Sequence, residues 1–419
     1  MNTSASAGAR LWPWSLFAAM IAAAGLPIYI HAPKFYVDEY GVSLAALGFT
    51  LAALRLVDVV QDPLLGWIAE SKRQWRAALV AGAIAIMALA MFGLFAVAPP
   101  IAPLAWFAVT LALLFSGFSF LTIVFYAQGV DKAARLGPGG HIRLAGWRET
   151  GSLLGVSLAS VAPVALGVAI DRPFTGFAVA FAVLALLAGL SMRSEWAAKR
   201  AGVASITGLM VFRPALADPL ARRLLLIALL NAAPVAVTST LFLFFVESRL
   251  AAPGWEGPLL LLFFLSAAAS APGWSRAAAR FGAKRSLLAA MALAIAAFLW
   301  AVALREGDIL PFAVICAASG AALGADLTLL PAMFARRLAS LGSGESAAFG
   351  LWSFVSKLSL ALAAATLLPT LAMAGFIPGA DNTTEALFAL SLLYAALPCA
   401  LKVLSMALLA TTNSAEVDL

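Results

Sequence analysis

Apolar stretches of about 20 residues recur from one end of this 419-residue chain to the other, separated by short loops in which arginine and lysine collect. A stretch of that length crosses ~30 Å of hydrocarbon as an α-helix. The composition agrees: 63% of the residues are hydrophobic and 11% charged, against roughly 25% charged in soluble domains. The sequence therefore predicts an all-α integral membrane protein of about twelve spans, with boundaries near 13–31, 42–70, 77–97, 103–130, 143–169, 174–192, 222–246, 257–279, 286–304, 309–334, 346–373 and 385–411.

Basic residues fix the expected orientation. Alternate loops carry Arg10; Lys72, Arg73 and Arg76; Lys132, Arg135 and Arg143; Arg193, Lys199, Arg200, Arg213, Arg222 and Arg223; Arg276, Arg280, Lys284 and Arg285; and Arg336 and Arg337. The opposite loops hold only Lys34, Arg172, Arg249 and Arg305. The positive-inside rule then places both termini in the cytoplasm, and an error of one helix would scramble the pattern. The formal charge of +7 is thus topological rather than a nucleic-acid surface, since the basic residues are spread over many short loops. High alanine content and short loops suit a bacterial inner membrane. No cleavable signal peptide is expected, because the first ten residues are polar and the first apolar stretch leads into further spans. Cys316 and Cys399 lie inside apolar helices and read as packing residues. His31 and His141 fall at opposite membrane faces, which excludes a shared metal site.

The longest loop, 193–221, divides the spans six and six, giving an N-terminal half (1–192), a cytoplasmic linker (193–221) with Pro214 and Pro219, and a C-terminal half (222–419). Faint echoes link the halves. The loop after the second span reads Ser71-Lys-Arg-Gln-Trp-Arg76, and that after the eighth reads Arg280-Phe-Gly-Ala-Lys284-Arg285. The fifth span opens with Gly146-Trp147 and the eleventh with Gly350-Leu-Trp352, as a duplicated transporter architecture requires.

Within the second span, Arg55, Asp58 and Asp62 interrupt an otherwise apolar run. Each charge at mid-depth costs roughly 2.5–3.5 kcal/mol on insertion scales, so all three must face a polar interior. At ~100° per residue they fall within a ~60° arc of one helical face, leaving Leu and Val for lipid.

Twelve spans in two similar halves with charge at mid-depth is the plan of a major facilitator superfamily transporter. Residues Phe35-Tyr36, Gly41-Val42-Ser43, Gly48, Arg55, Asp58, Asp62-Pro63 and Gly66-Trp67 resemble the glycoside-pentoside-hexuronide:cation symporter family (melibiose-permease-like). The resemblance returns at Asp131-Lys132, from Arg143 to Gly155, and in Trp352-Ser-Phe-Val-Ser-Lys357. It implies that Asp58 and Asp62 bind the coupling cation, Na⁺ or H⁺, with Arg55 one turn before them and Lys357 on the eleventh span. The chemistry is compatible, since carboxylates either ligate Na⁺ or exchange a proton and a lysine can balance them when no ion is bound. Counting ~1.5 Å per residue along the spans puts Asp58, Asp62 and Lys357 near mid-bilayer. The competing reading is a static ion-pair network that holds the halves in register.

The sequence departs from the sugar-transporting members, which hold hydroxyls with acids in helices one and four. Here helix one reads Phe17-Ala-Ala-Met-Ile-Ala-Ala-Ala24, and the segment Phe115 to Tyr126 is equally free of acid. A hydroxyl-rich ligand needs several placed polar partners, so a less polar, aromatic or amphipathic solute is indicated. The expected substrate cavity draws on Tyr29, Thr122, Tyr126, Gln128, Trp147, Asn231, Trp352 and Ser356, with Ser116, Ser119, Thr238, Ser239 and Thr240 as further polar groups. Asp131, Arg143, Arg148, Glu149 and Asp326 form an expected cytoplasmic gate, because alternating access needs charge pairs that close one side and break when it opens. Arg336 and Arg337 read as ordinary interfacial charge.

Leu136-Gly-Pro-Gly-Gly140 precedes no GK[ST], so it is no nucleotide loop. No HExxH, GxSxG or Cys/His cluster occurs, and neither an enzyme nor a resident cofactor is expected. The leading expectation is cation-coupled symport of a small organic solute by a monomer in the bilayer. Alternatives are proton-coupled export of an amphipathic metabolite or drug, and a non-transport membrane receptor.

Overall fold

The computed structural model describes residues 10–197, 208–341, 345–377 and 381–413. Helices occupy nearly all of them, and no strand occurs among the described residues. The α-helices are α1 (Trp12–Ala23), α2 (Leu26–Tyr40), α3 (Leu44–Ser71), α4 (Arg76–Phe95), α5 (Pro103–Arg135), α6 (Gly140–Gly167), α7 (Pro173–Ala197) and the short α8 (Arg213–Ala217). There follow α9 (Pro219–Phe244), α10 (Glu256–Phe281), α11 (Ala283–Leu299), α12 (Ile309–Leu341), α13 (Glu345–Met373), α14 (Thr384–Ser391) and α15 (Leu397–Ala410). They follow the expected spans in order. Ten helical segments among the described residues are long and apolar enough to cross a bilayer. At 28 residues α3 also has the length to cross, and Arg55, Asp58, Asp62 and Glu70 set it apart by charge.

The first span is broken, where the sequence predicts one helix over 13–31. Pro27 has no N–H to continue the ladder and disfavours helical backbone before it, so α1 ends at Ala23 and α2 restarts after Gly25. α2 then runs on to Tyr40, where Gly41 adopts a left-handed φ of 62° and the Val42 N–H reaches back to the Tyr36 carbonyl at 3.2 Å. Side-chain oxygens start later helices. Ser43 accepts from the Ala46 N–H at 3.3 Å, Asp218 from Ala221 at 2.8 Å and Thr383 from Ala386 at 3.3 Å. α14 and α15 form one span, joined through a π-helical turn at Leu392–Ala396 just before Pro398, whose missing N–H favours the wider register.

The chain divides into two compact units. One comprises Met1–Ala217 with Leu338–Phe354, the other Asp218–Arg337 with Val355–Leu419. The expected linker, 193–221, straddles the boundary between Ala217 and Asp218, with Pro219 to Ala221 already opening α9, and its residues 198–207 lie outside the described set. In the first unit Trp14, Phe17, Tyr36, Phe107 and Phe125 are fully or almost fully buried. In the second, Tyr394 stacks on Phe245 at 4.1 Å beside Phe312. Large apolar side chains such as Leu89, Leu186, Leu310 and Val314 point outward, the surface expected where the solvent is lipid rather than water.

Close helix approach inside each unit depends on glycine pairs four residues apart. A Cβ on Gly151 or Gly155 of α6 would lie 2.2 Å from the Ser15 carbonyl oxygen or 2.4 Å from that of Ala19 on α1. A Cβ on Gly320 or Gly324 of α12 would lie 2.2 Å from the Phe263 carbonyl oxygen or 2.7 Å from that of Ala267 on α10. Dispersion between bare backbones replaces the hydrophobic drive that lipid removes.

Candidate functional site

α3 carries the acids. Asp58 and Asp62 are one turn apart, so they share a face, and both are buried, Asp62 completely. The Gln61 side-chain amide donates to Asp58 Oδ1 at 2.6 Å and accepts at its own Oε1 from the Ser116 hydroxyl of α5 at 3.1 Å. Ser353, at the beginning of α13, donates to Asp62 Oδ2 at 2.5 Å. α3 approaches this part of α13 closely because Gly66 faces Gly350. A Cβ on Gly66 would lie 2.8 Å from the Ser346 carbonyl oxygen and 3.1 Å from the Gly350 Cα. Two further bonds extend the contact along α3. Glu70 accepts from the Ser346 N–H at 3.1 Å, and Arg73 bridges Glu70 at 3.2 Å and Glu345 at 3.0 Å. Pro63 adds a backbone feature, for it gives no N–H to the Val59 carbonyl one turn earlier, between the two acids.

Of the residues expected at a gate, Arg148 and Glu149 come together, both buried, with Arg148 Nε donating to Glu149 Oε1 at 2.8 Å. Tyr126 of α5 completes this group: its hydroxyl donates to the same carboxylate oxygen at 2.9 Å, and the Arg148 guanidinium lies 3.6 Å from the centre of its ring. Phe349 packs on the other side of Tyr126 at 5.3 Å. Arg148 Nη2 has no acceptor among the described residues. Asp131 is half-buried and Arg143 exposed. Asp326 belongs to the second unit, where Lys402 Nζ binds its Oδ2 and also donates to Asn231 Oδ1 at 2.7 Å. Arg337, read as plain interfacial charge, is paired in a bidentate bridge to Asp218 at 2.9 and 2.5 Å. That guanidinium holds the Asp218 carboxyl below its ordinary range, reinforced by the Ala221 N–H, against a smaller opposing effect of burial.

The remaining cavity residues are dispersed. Thr122 spends its proton on the Phe118 carbonyl at 2.7 Å. Gln128 accepts from Arg76 at 2.5 Å and donates to the Glu195 carbonyl at 3.0 Å, beside the Lys132–Glu195 ion pair, which makes it part of a polar bridge between α4, α5 and α7. Trp147 is half exposed, with its carbonyl taken by the Ser15 hydroxyl. Trp352, Ser356 and Lys357 are half-buried on α13, as is Arg55 on α3. The side chain of Tyr29 lies outside the described residues. Among the described residues no three His, Cys, Asp or Glu side chains converge as a metal site.

Gln61, Ser353 and Lys402 were not singled out from the sequence. Lys402 stands alone in Leu397-Pro-Cys-Ala-Leu-Lys402-Val-Leu, and the rule that flagged Asp58, a charge inside an apolar span, applies to it equally. Gln61 is uncharged and falls about 60° outside the arc shared by Arg55, Asp58 and Asp62, so neither charge nor spacing distinguished it.

Apolar helices of spanning length in two units, with ionisable groups buried inside the spans, define a multi-pass membrane transporter of the major facilitator fold. The chain belongs to the major facilitator/sugar transport protein family, whose model matches residues 15–414. The crystal structure of a bacterial homologue of the iron transporter ferroportin in an outward-facing state is similar over 96% of this chain and 98% of that one, with TM-score 0.70 and 14% identity. The same description with soaked iron applies to a second structure, similar over 96% and 98% of the two chains, with TM-score 0.66 and 16% identity. At these identities the likeness is one of fold. No curated protein matches the sequence.

Proposed function

We propose that the protein is a secondary active transporter in which Na⁺ or H⁺ bound at Asp58 and Asp62 drives a small organic solute across the bacterial inner membrane by alternating access. The observation that carries this reading is a pair of buried carboxylates one turn apart on α3, held by an amide and a hydroxyl next to a carbonyl that Pro63 leaves without its helical partner. Carboxylates are hard oxygen ligands or proton carriers, and the Val59 carbonyl on α3 and the Ser353 hydroxyl on α13 add neutral oxygens. Arg55 enters as a charge one turn before the acids, and Lys357 enters through the family resemblance alone.

Arg148, Glu149 and Tyr126 form the proposed gate, with Asp131 and Arg143 at its margin. The spare donor at Arg148 Nη2 gives this cluster bonding capacity for an acceptor atom on a solute. The solute is less polar than a glycoside, because α1 and the middle of α5 offer no carboxylate to hold hydroxyls. The protein works as a monomer with both termini in the cytoplasm, as the basic loops direct.

Uptake of a solute library into proteoliposomes under separately imposed Na⁺ and H⁺ gradients tests the proposal, with Asp58→Asn and Asp62→Asn as controls. Accumulation driven by one gradient and lost in both variants is expected, with downhill exchange retained. Full uphill uptake by both variants would sink the coupling assignment.

A further inference from the structure

The second unit contains a mostly apolar pocket with an ion pair in its wall, apart from the proposed coupling site. Asp326 and Lys402 are 7% and 4% exposed, and they pair inside the bundle rather than at its surface. One Asp326 oxygen takes the lysine, while Oδ1 finds no donor among the described residues. Lys402 has three donors, of which Asn231 and Asp326 take two. Both charged residues line a cavity of about 60 Å³ whose other walls include Pro234, Phe263, Phe298 and Cys399. Taking roughly 30 Å³ as one water's share of the liquid, the cavity admits a polar group and the first carbons of a ligand.

The charges decide the ligand's class. The pair is formally neutral, so a cation or anion entering would remain uncompensated in a medium that penalises net charge. A purely apolar guest would leave Oδ1 without a donor, which buried acceptors tolerate poorly. We propose that this pocket binds a small neutral organic molecule through a hydroxyl or amide N–H, which donates to Asp326 Oδ1 and accepts from Lys402, with its carbon body against Phe263 and Phe298. This names a substrate class for the transporter and so rests on the proposed function.

Cys399 reports occupancy. The chain has two cysteines, so Cys316→Ser leaves Cys399 alone to react with N-ethylmaleimide in full-length protein in nanodiscs, without any ion gradient. 1-Butanol and its isomer diethyl ether contain the same atoms, but only the alcohol has an O–H; n-butylammonium and butyrate place a charge on the same carbon body. At twice its Kd, 1-butanol should slow Cys399 modification about threefold, while the ether and both ions leave the rate unchanged.

The Asp326→Leu/Lys402→Met double variant should abolish the difference between alcohol and ether. Protection by the ether equal to that by the alcohol, protection by either ion, or no protection at all would overturn the proposal. So would a Cys399 that never reacts, since it would show a cavity closed to solutes. These readings come from native side chains at the pocket and stand even if the double variant does not fold. Because the assay needs no gradient, failure here is separate from failure of coupling at Asp58 and Asp62.

Discussion

Both units bury carboxylates inside their helices, and the two sites differ in the partners described around them. On α3 the partners of Asp58 and Asp62 include a neutral amide and a hydroxyl. In the second unit Asp326 is tied to an ammonium, an arrangement that is neutral as it stands and gains nothing from a further charge. Asp326 thus depends on Lys402 for the only charge compensation among its described partners.

Removing one member of the ion pair should produce the largest effect. Lys402→Ala strands Asp326 and should destabilise the protein by about 3–5 kcal/mol, whereas Asp326→Leu/Lys402→Met should stay close to native. Thermal unfolding in detergent measures both, and equal losses would break the contrast. Next come the glycine pairs, which the units share: Gly155→Ala and Gly320→Ala force a Cβ into carbonyl oxygens 2.4 and 2.2 Å away and should cost about 1–3 kcal/mol each. Gly82→Ala meets nothing within 4 Å and should be tolerated.

Asp62→Asn keeps an acceptor for the Ser353 hydroxyl while removing the carboxylate, and uphill transport in proteoliposomes should be lost. A small effect is expected of Asp218→Asn, which preserves the helix cap and removes the part-buried bridge to Arg337, worth about 1 kcal/mol. Because Arg337 lowers the Asp218 pKa, the bridge's contribution is complete above the ordinary value of 3.8 and disappears as pH falls through the depressed one. The Tm gap between native and Asn proteins should close below pH 3.8 and hold steady above it.

Much of this architecture was legible because lipid leaves the backbone few choices. Twenty apolar residues between basic loops can only be a helix, and the helices follow the predicted spans in order. The break at Gly25 was hidden, since Ala22-Ala-Ala-Gly25-Leu-Pro27 stays apolar and hydropathy does not register a missing N–H. Asp58 and Asp62 stood out through their charge, while their partners Gln61 and Ser353 did not, because neutral polar residues enter spans cheaply and often. Ser353 was further obscured by distance: it lies 291 residues from Asp62. Asp326 was visible, but its partner was not, for pairing between helices is a matter of packing rather than of spacing.

The Asp326–Lys402 pair also constrains how the chain is made. Lys402 lies 76 residues after Asp326 and in the last span. During synthesis, the tenth predicted span therefore reaches the membrane with a carboxylate whose counter-charge has yet to emerge from the ribosome. That acid stays without its counter-charge until the final helix arrives and docks. A chain cut short before position 402 keeps every earlier helix but exposes an unanswered acid within the bilayer, a chemical mark by which incomplete copies differ from finished ones.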